Sequence, residues 1–95
     1  MNLDQFRDSL SQASPPPLPV HLTSLWYDAK GDWETSHQII QDIGDETASW
    51  IHAYLHRKEG DTGNADYWYR RAGRKRPSVS LEQEWEQIVL SFLND

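Results

Sequence analysis

Cysteine is absent from this chain, long apolar runs are absent, and positive charge is in the minority. Without cysteine there is no disulfide framework, no thiol nucleophile and no Cys-ligated zinc or iron–sulfur site. No stretch approaches the roughly 18 continuous apolar residues of a membrane span. The start, Met1-Asn2-Leu3-Asp4, has neither the basic residues nor the apolar run of a signal peptide, so a cytoplasmic protein is expected. Nine Lys and Arg face fifteen Asp and Glu, a net charge of −6 that argues against a general nucleic-acid or acidic-membrane binder. Gly-rich phosphate loops and the Gly-x-Ser-x-Gly elbow are also missing, and no cofactor or catalysis is expected.

What is present is aromatic. Five Trp, four Tyr and two Phe in 95 residues supply large buried areas to a chain long enough for one domain. The set Trp26, Tyr27, Trp33, Trp50 and Tyr54 is expected to be core; the alternative lines a groove with them and leaves one or two exposed as partner anchors.

The punctuation of the chain predicts helices. Leu3, Phe6 and Leu10 mark a short helix over 2–12, and Ser14-Pro15-Pro16-Pro17-Leu18-Pro19 then breaks it as a stiff linker. Residues 1–18 are therefore read as a helix plus Pro-rich linker, and 19–95 as one helical-repeat domain. Pro19 starts a second helix that runs to about Lys30. Gly31-Asp32, Gly44-Asp45 and Gly60-Asp61 each combine a helix stop with a cap for the next helix, giving helices over 33–42, up to Glu59, and over 62–72. A Ser80-x-x-Gln83 capping box opens the last, with Leu81, Trp85, Ile88, Val89 and Phe92 on one face to near Leu93. No segment shows sustained period-two alternation, so the fold class is all-α.

The Gly-Asp pairs at 31–32 and 60–61 set a period of 29 residues. In that register Ser24 aligns with Ala53, Ser36 with Ala65, Ile40 with Tyr69 and Leu22 with Ile51. Small residues meet small where helices would cross, and large meet large where a core is expected. The expected architecture is two stacked antiparallel helical hairpins, a C-terminal covering helix and a short N-terminal helix. Gly60, Ala65, Tyr69, Ala72 and Pro77 fall at the positions of the tetratricopeptide (TPR) pattern, so the second unit resembles that repeat. In its first helix Ser49, His52, Ala53 and His56 stand where the family prefers Trp, Leu, Gly and Tyr. The first unit keeps Ser24, Tyr27, Gly31 and Ser36. The stretch from Trp50 to Asp61 is also similar to small bacterial proteins of no assigned activity. Resemblance to TPR proteins implies protein binding: a peptide segment, or a second copy of the chain as a homodimer, seated in a groove rimmed by Tyr27, His52, His56 and Arg57.

Two further groupings carry chemistry. His52 and His56 lie one helical turn apart with Glu59 continuing the row, a spacing that can chelate a metal; this alternative reads the chain as a metal- or small-ligand-binding protein, even an enzyme. Ala53 occupies the place where the general base of a His-Glu-x-x-His motif would stand. Packed, hydrogen-bonded histidines are the plainer expectation, and no role is attached to His21 or His37. Arg70, Arg71, Arg74, Lys75 and Arg76 form a basic patch; residues 57–76 hold seven basic and three acidic side chains. It is read first as a solvated helix end paired with Glu82, Glu84 and Glu86, and second as a contact for an acidic peptide, phosphate or nucleic acid. Of these, nucleic acid is the least expected partner.

Overall fold

The computed structural model of the chain describes residues 1–93 and is all-helical over them. Six helices follow one another: α1 (Leu3–Ser9), α2 (Val20–Ala29), α3 (Trp33–Ile40), α4 (Glu46–Glu59), α5 (Thr62–Arg71) and α6 (Leu81–Leu93). The radius of gyration, 12.5 Å, matches the ~12 Å of a close-packed domain of this length.

Cap chemistry sets the helix starts. Asp32, Asp45 and Asp61 accept hydrogen bonds from the backbone N–H groups of Thr35, Ala48 and Asn64, at 3.1, 2.7 and 3.2 Å. Ser80 and Gln83 close a capping box at 3.1 Å in both directions, and Asn2 with Gln5 makes another at the start of α1. Three helix ends share one geometry. Gly31, Gly60 and Gly73 take φ of 85°, 92° and 70°, and the N–H groups of Asp32, Asp61 and Arg74 each reach the carbonyl five residues back at 2.9 Å. This is the Schellman closure, in which glycine accepts a left-handed turn without a Cβ clash. The corners at 31–32 and 60–61 therefore repeat in conformation as well as in sequence. Gly44 differs: its φ is not positive, because α3 ends at Ile40 and residues 41–45 form a longer link.

α2 packs on α3 and α4 on α5, while α4 also touches α2, α3 and α6. Every residue of α4 from Ala48 to His56 is buried, as expected of a helix enclosed on all sides. Where α2 meets α3, Ser24 and Ser36 are fully buried, and the Ser24 hydroxyl lies 2.9 Å from both the hydroxyl and the carbonyl oxygen of Ser36. Their aligned partners in α4 and α5, Ala53 and Ala65, are equally buried.

α1 shares the same core. Phe6 is fully buried with its ring 5.8 Å from that of Trp85 on α6. The Trp26 indole donates to Ser9, and the Lys30 ammonium donates to the carbonyl oxygens of Leu10 and Gln12, so the segment after α1 is held to the end of α2. Trp26, Trp50 and Tyr54 are buried core, while Tyr27 and Trp33 lie half-buried at its edge.

Candidate functional site

Three places gather polar side chains: a histidine cluster between α3, α4 and α5, a carboxylate buried under α6, and a basic cleft beside the end of α5.

His52 and His56 project from one face of α4 with their rings stacked 4.8 Å apart, and His37 comes across from α3. The Nε2 atoms of His37 and His52 are 3.0 Å apart, and the His37 and His56 rings lie 5.3 Å apart. One ring nitrogen from each of the three histidines falls within 4.8 Å of the others. His52 and His56 are buried and His37 is partly exposed. Indoles hold two of the rings. Trp68 of α5 stacks on His52 at 3.9 Å, and Trp33 stacks on His37 at 4.8 Å with the planes 8° apart. Trp33 is itself fixed, since its Nε1–H donates to the Leu55 carbonyl oxygen at 2.8 Å. Glu59 reaches His56 Nδ1 at 2.5 Å. Burial, reinforced by His37 and His56, holds the His52 imidazole down to about 4. Burial with His56 also lowers His37, partly offset by Glu59 and Glu34. Both rings are therefore neutral at pH 7, each with one N–H to donate and one nitrogen lone pair to accept.

Their spacing along one helix marks His52 and His56 in the sequence but not His37, whose approach depends on how α3 packs on α4. The only local signal is Trp33, one helical turn before His37, which becomes the ring it stacks on.

Arg57 stands apart from this cluster. Its guanidinium donates to Glu84 Oε1 at 2.8 Å and to the Val79 carbonyl oxygen, so it faces α6. Glu84, fully buried, also accepts from the Trp50 indole at 3.1 Å and from the Tyr69 hydroxyl at 2.6 Å. One carboxylate thus links α4, α5 and α6, with each oxygen satisfied. A second buried carboxylate, Asp28, accepts from Tyr54 at 2.7 Å and from Lys58 at 2.9 Å. Burial and the neighbouring carboxylates push the hydroxyls of Tyr54 and Tyr69 far up, so both remain donors. The expected pairing of Glu82, Glu84 and Glu86 with the basic patch is not what forms: Glu84 takes Arg57 and Glu86 takes Arg7. The sequence signal was present, since Glu84 falls one turn before Ile88, on the apolar face of α6.

The basic patch instead surrounds a cleft of about 290 Å³ lined by Asp66, Tyr69, Arg70, Arg74, Lys75 and Arg76. Arg76 pairs with Asp66 at 3.3 Å, and the Arg74 guanidinium lies 3.4 Å from the centre of the Trp50 ring. Arg71 turns away from it, toward the Tyr67 hydroxyl and over the Trp68 ring. Of the three adjacent aromatics, Tyr69 is buried, Trp68 half-buried and Tyr67 exposed, so they do not form one stacking surface.

Comparison with family models, with curated proteins and with solved structures yields no match for this chain.

Proposed function

We propose that the chain is a small helical-repeat interaction module, TPR-like in build, that binds an acidic peptide segment in the basic cleft beside α5. Its two units are the pairs α2–α3 and α4–α5, stacked through α4 and covered by α6. Support for the stacking comes from the matched Gly-Asp corners and from the small residues Ser24, Ser36, Ala53 and Ala65 in the helix contacts.

The observation that carries the binding assignment is the charge around the cleft. Four cations and one carboxylate, itself paired with Arg76, line an opening on a chain whose net charge is −6. Arg70, Arg74 and Lys75 are exposed and remain available to carboxylates from outside, and the Trp50 face fixes the Arg74 guanidinium in place. The groove expected from Tyr27, His52, His56 and Arg57 is the less favoured location. Its Arg57 is committed to Glu84, and its histidines turn toward His37.

A fluorescent Asp- and Glu-rich peptide titrated into the protein should bind weakly and lose affinity steeply as salt rises. Arg70→Glu with Lys75→Glu, both at exposed positions, should abolish binding without changing the melting temperature. Binding that survives the double charge reversal, or equal affinity for a neutral peptide, removes the cleft from the interface. Concentration-dependent sedimentation that disappears with the same two changes identifies the acidic segment as belonging to a second copy of the chain.

A further inference from the structure

We propose that His37, His52 and His56 form a three-imidazole site for a divalent transition-metal ion of the zinc type, with Glu59 orienting His56 from outside the ligand set. The ring nitrogens are already gathered. Tetrahedral coordination at a Zn–N distance of about 2.0–2.1 Å places ligand nitrogens about 3.3 Å apart. His37 and His52 Nε2 atoms stand at 3.0 Å, so an ion taking the place of the shared proton spreads this pair by only a few tenths of an ångström. The third imidazole has a nitrogen no more than 4.8 Å from the other two, so a closure of about 1.5 Å or less brings it to ligand spacing.

Donor chemistry selects the ion. Three imidazoles with no thiolate suit zinc, copper or nickel and reject the hard, oxygen-seeking calcium and magnesium. Glu59 bonds His56 Nδ1, which leaves Nε2 of that ring as the ligating atom and reproduces the carboxylate–histidine–metal arrangement of known sites. The row His52, His56, Glu59 is thereby divided: two histidines ligate, the carboxylate positions one of them, and the third ligand comes from α3. Trp33 and Trp68 hold the His37 and His52 rings in their planes, which lowers the ordering cost of binding. His37 is the exposed member of the three, so the fourth coordination place faces solvent on its side. A second grouping, His56 with Glu59 and Asp61, shares one histidine but relies on two exposed carboxylates.

The test uses protein made without a histidine tag, stripped with a chelator and titrated with Zn²⁺, and with Co²⁺ as a visible probe. The expected result is one ion per chain at micromolar affinity or tighter, with a Co²⁺ absorption band typical of four-coordinate nitrogen ligation. His37→Gln should weaken binding at least 10-fold; because His37 is half-exposed, this variant keeps the fold, which circular dichroism verifies. Glu59→Gln should weaken Zn²⁺ about 10-fold while the one-to-one stoichiometry and the melting temperature of the metal-free protein stay unchanged. Asp61→Asn should leave Zn²⁺ affinity unaltered. No saturable one-to-one binding, or unchanged affinity in His37→Gln, overturns the site. A loss in Asp61→Asn with none in His37→Gln also overturns it, since the ion would then sit among His56, Glu59 and Asp61. The basic cleft takes no part in this titration, so either proposal can fail alone.

Discussion

The ring of His52 lies between a tryptophan face and two other imidazoles, and that setting fixes its response to acid. Its pKa in the folded chain is held at about 4 by burial and by His37 and His56, whereas the unfolded chain takes the proton near 6.5. The groups facing it are His37 of α3, His56 of α4 and Trp68 of α5; Glu59, bonded to His56, and Glu34 act on the cluster from farther out. Below pH 6.5 the unfolded state binds a proton that the folded state refuses, so stability present at neutral pH drains away as pH falls toward 4. Urea titrations of metal-free protein should show a loss of about 2 kcal/mol across that window attributable to this ring. His52→Phe should flatten that part of the profile; an equally steep profile in the variant would assign the loss to other groups. At this scale the His52 and His56 pair was legible because helical spacing alone places them together. His37 and the Arg57–Glu84 pair were not, since each depends on how two separate helices meet.

Helix ends are where the chain is most readable. Aspartate caps and left-handed glycines act locally, and they mark the starts of α3, α4 and α5 and the ends of α2, α4 and α5 without help from tertiary packing. Gly60→Ala should therefore cost about 1–2 kcal/mol in denaturant melts. A methyl group there meets no neighbouring atom, so the whole cost is the backbone turn at φ 92°. Gly44→Ala, where φ is not positive and the space is equally open, should stay within about 0.5 kcal/mol. Equal losses at both positions would remove the left-handed turn as the cause. Where no such signal operates, the expected bounds ran long. α1 stops at Ser9 rather than 12, and hydroxyls of Ser9 and Ser11 bond the carbonyl oxygens of Phe6 and Asp8 in the turn that follows. α3 stops at Ile40 rather than 42, ahead of the Gly44-Asp45 signal it was expected to reach.

For the molecule as a whole, the all-helical class was legible from periodicity, whereas the contacts that fasten α6 were not. An apolar stripe on α6 predicts that it covers the other helices, and Glu84 on that stripe marks a buried carboxylate; its partners Trp50, Arg57 and Tyr69 emerge only once α4, α5 and α6 are assembled. Glu84→Ala removes the acceptor shared by Trp50, Arg57 and Tyr69 and strands the Arg57 charge. It should destabilise the protein by about 3–5 kcal/mol in urea, against less than about 0.5 kcal/mol for the exposed Glu82→Ala. A small loss at Glu84 would mean that apolar contacts alone hold α6. The encasement of α4 has a consequence for how the protein comes apart. That helix owns no face to water over Ala48–His56 and lends its surface to four neighbours, so neither half of the chain retains an interior once the other lets go. Melting is then a single cooperative event rather than a peeling of units from one end, and a fragment cut within α4 inherits no core to fold around.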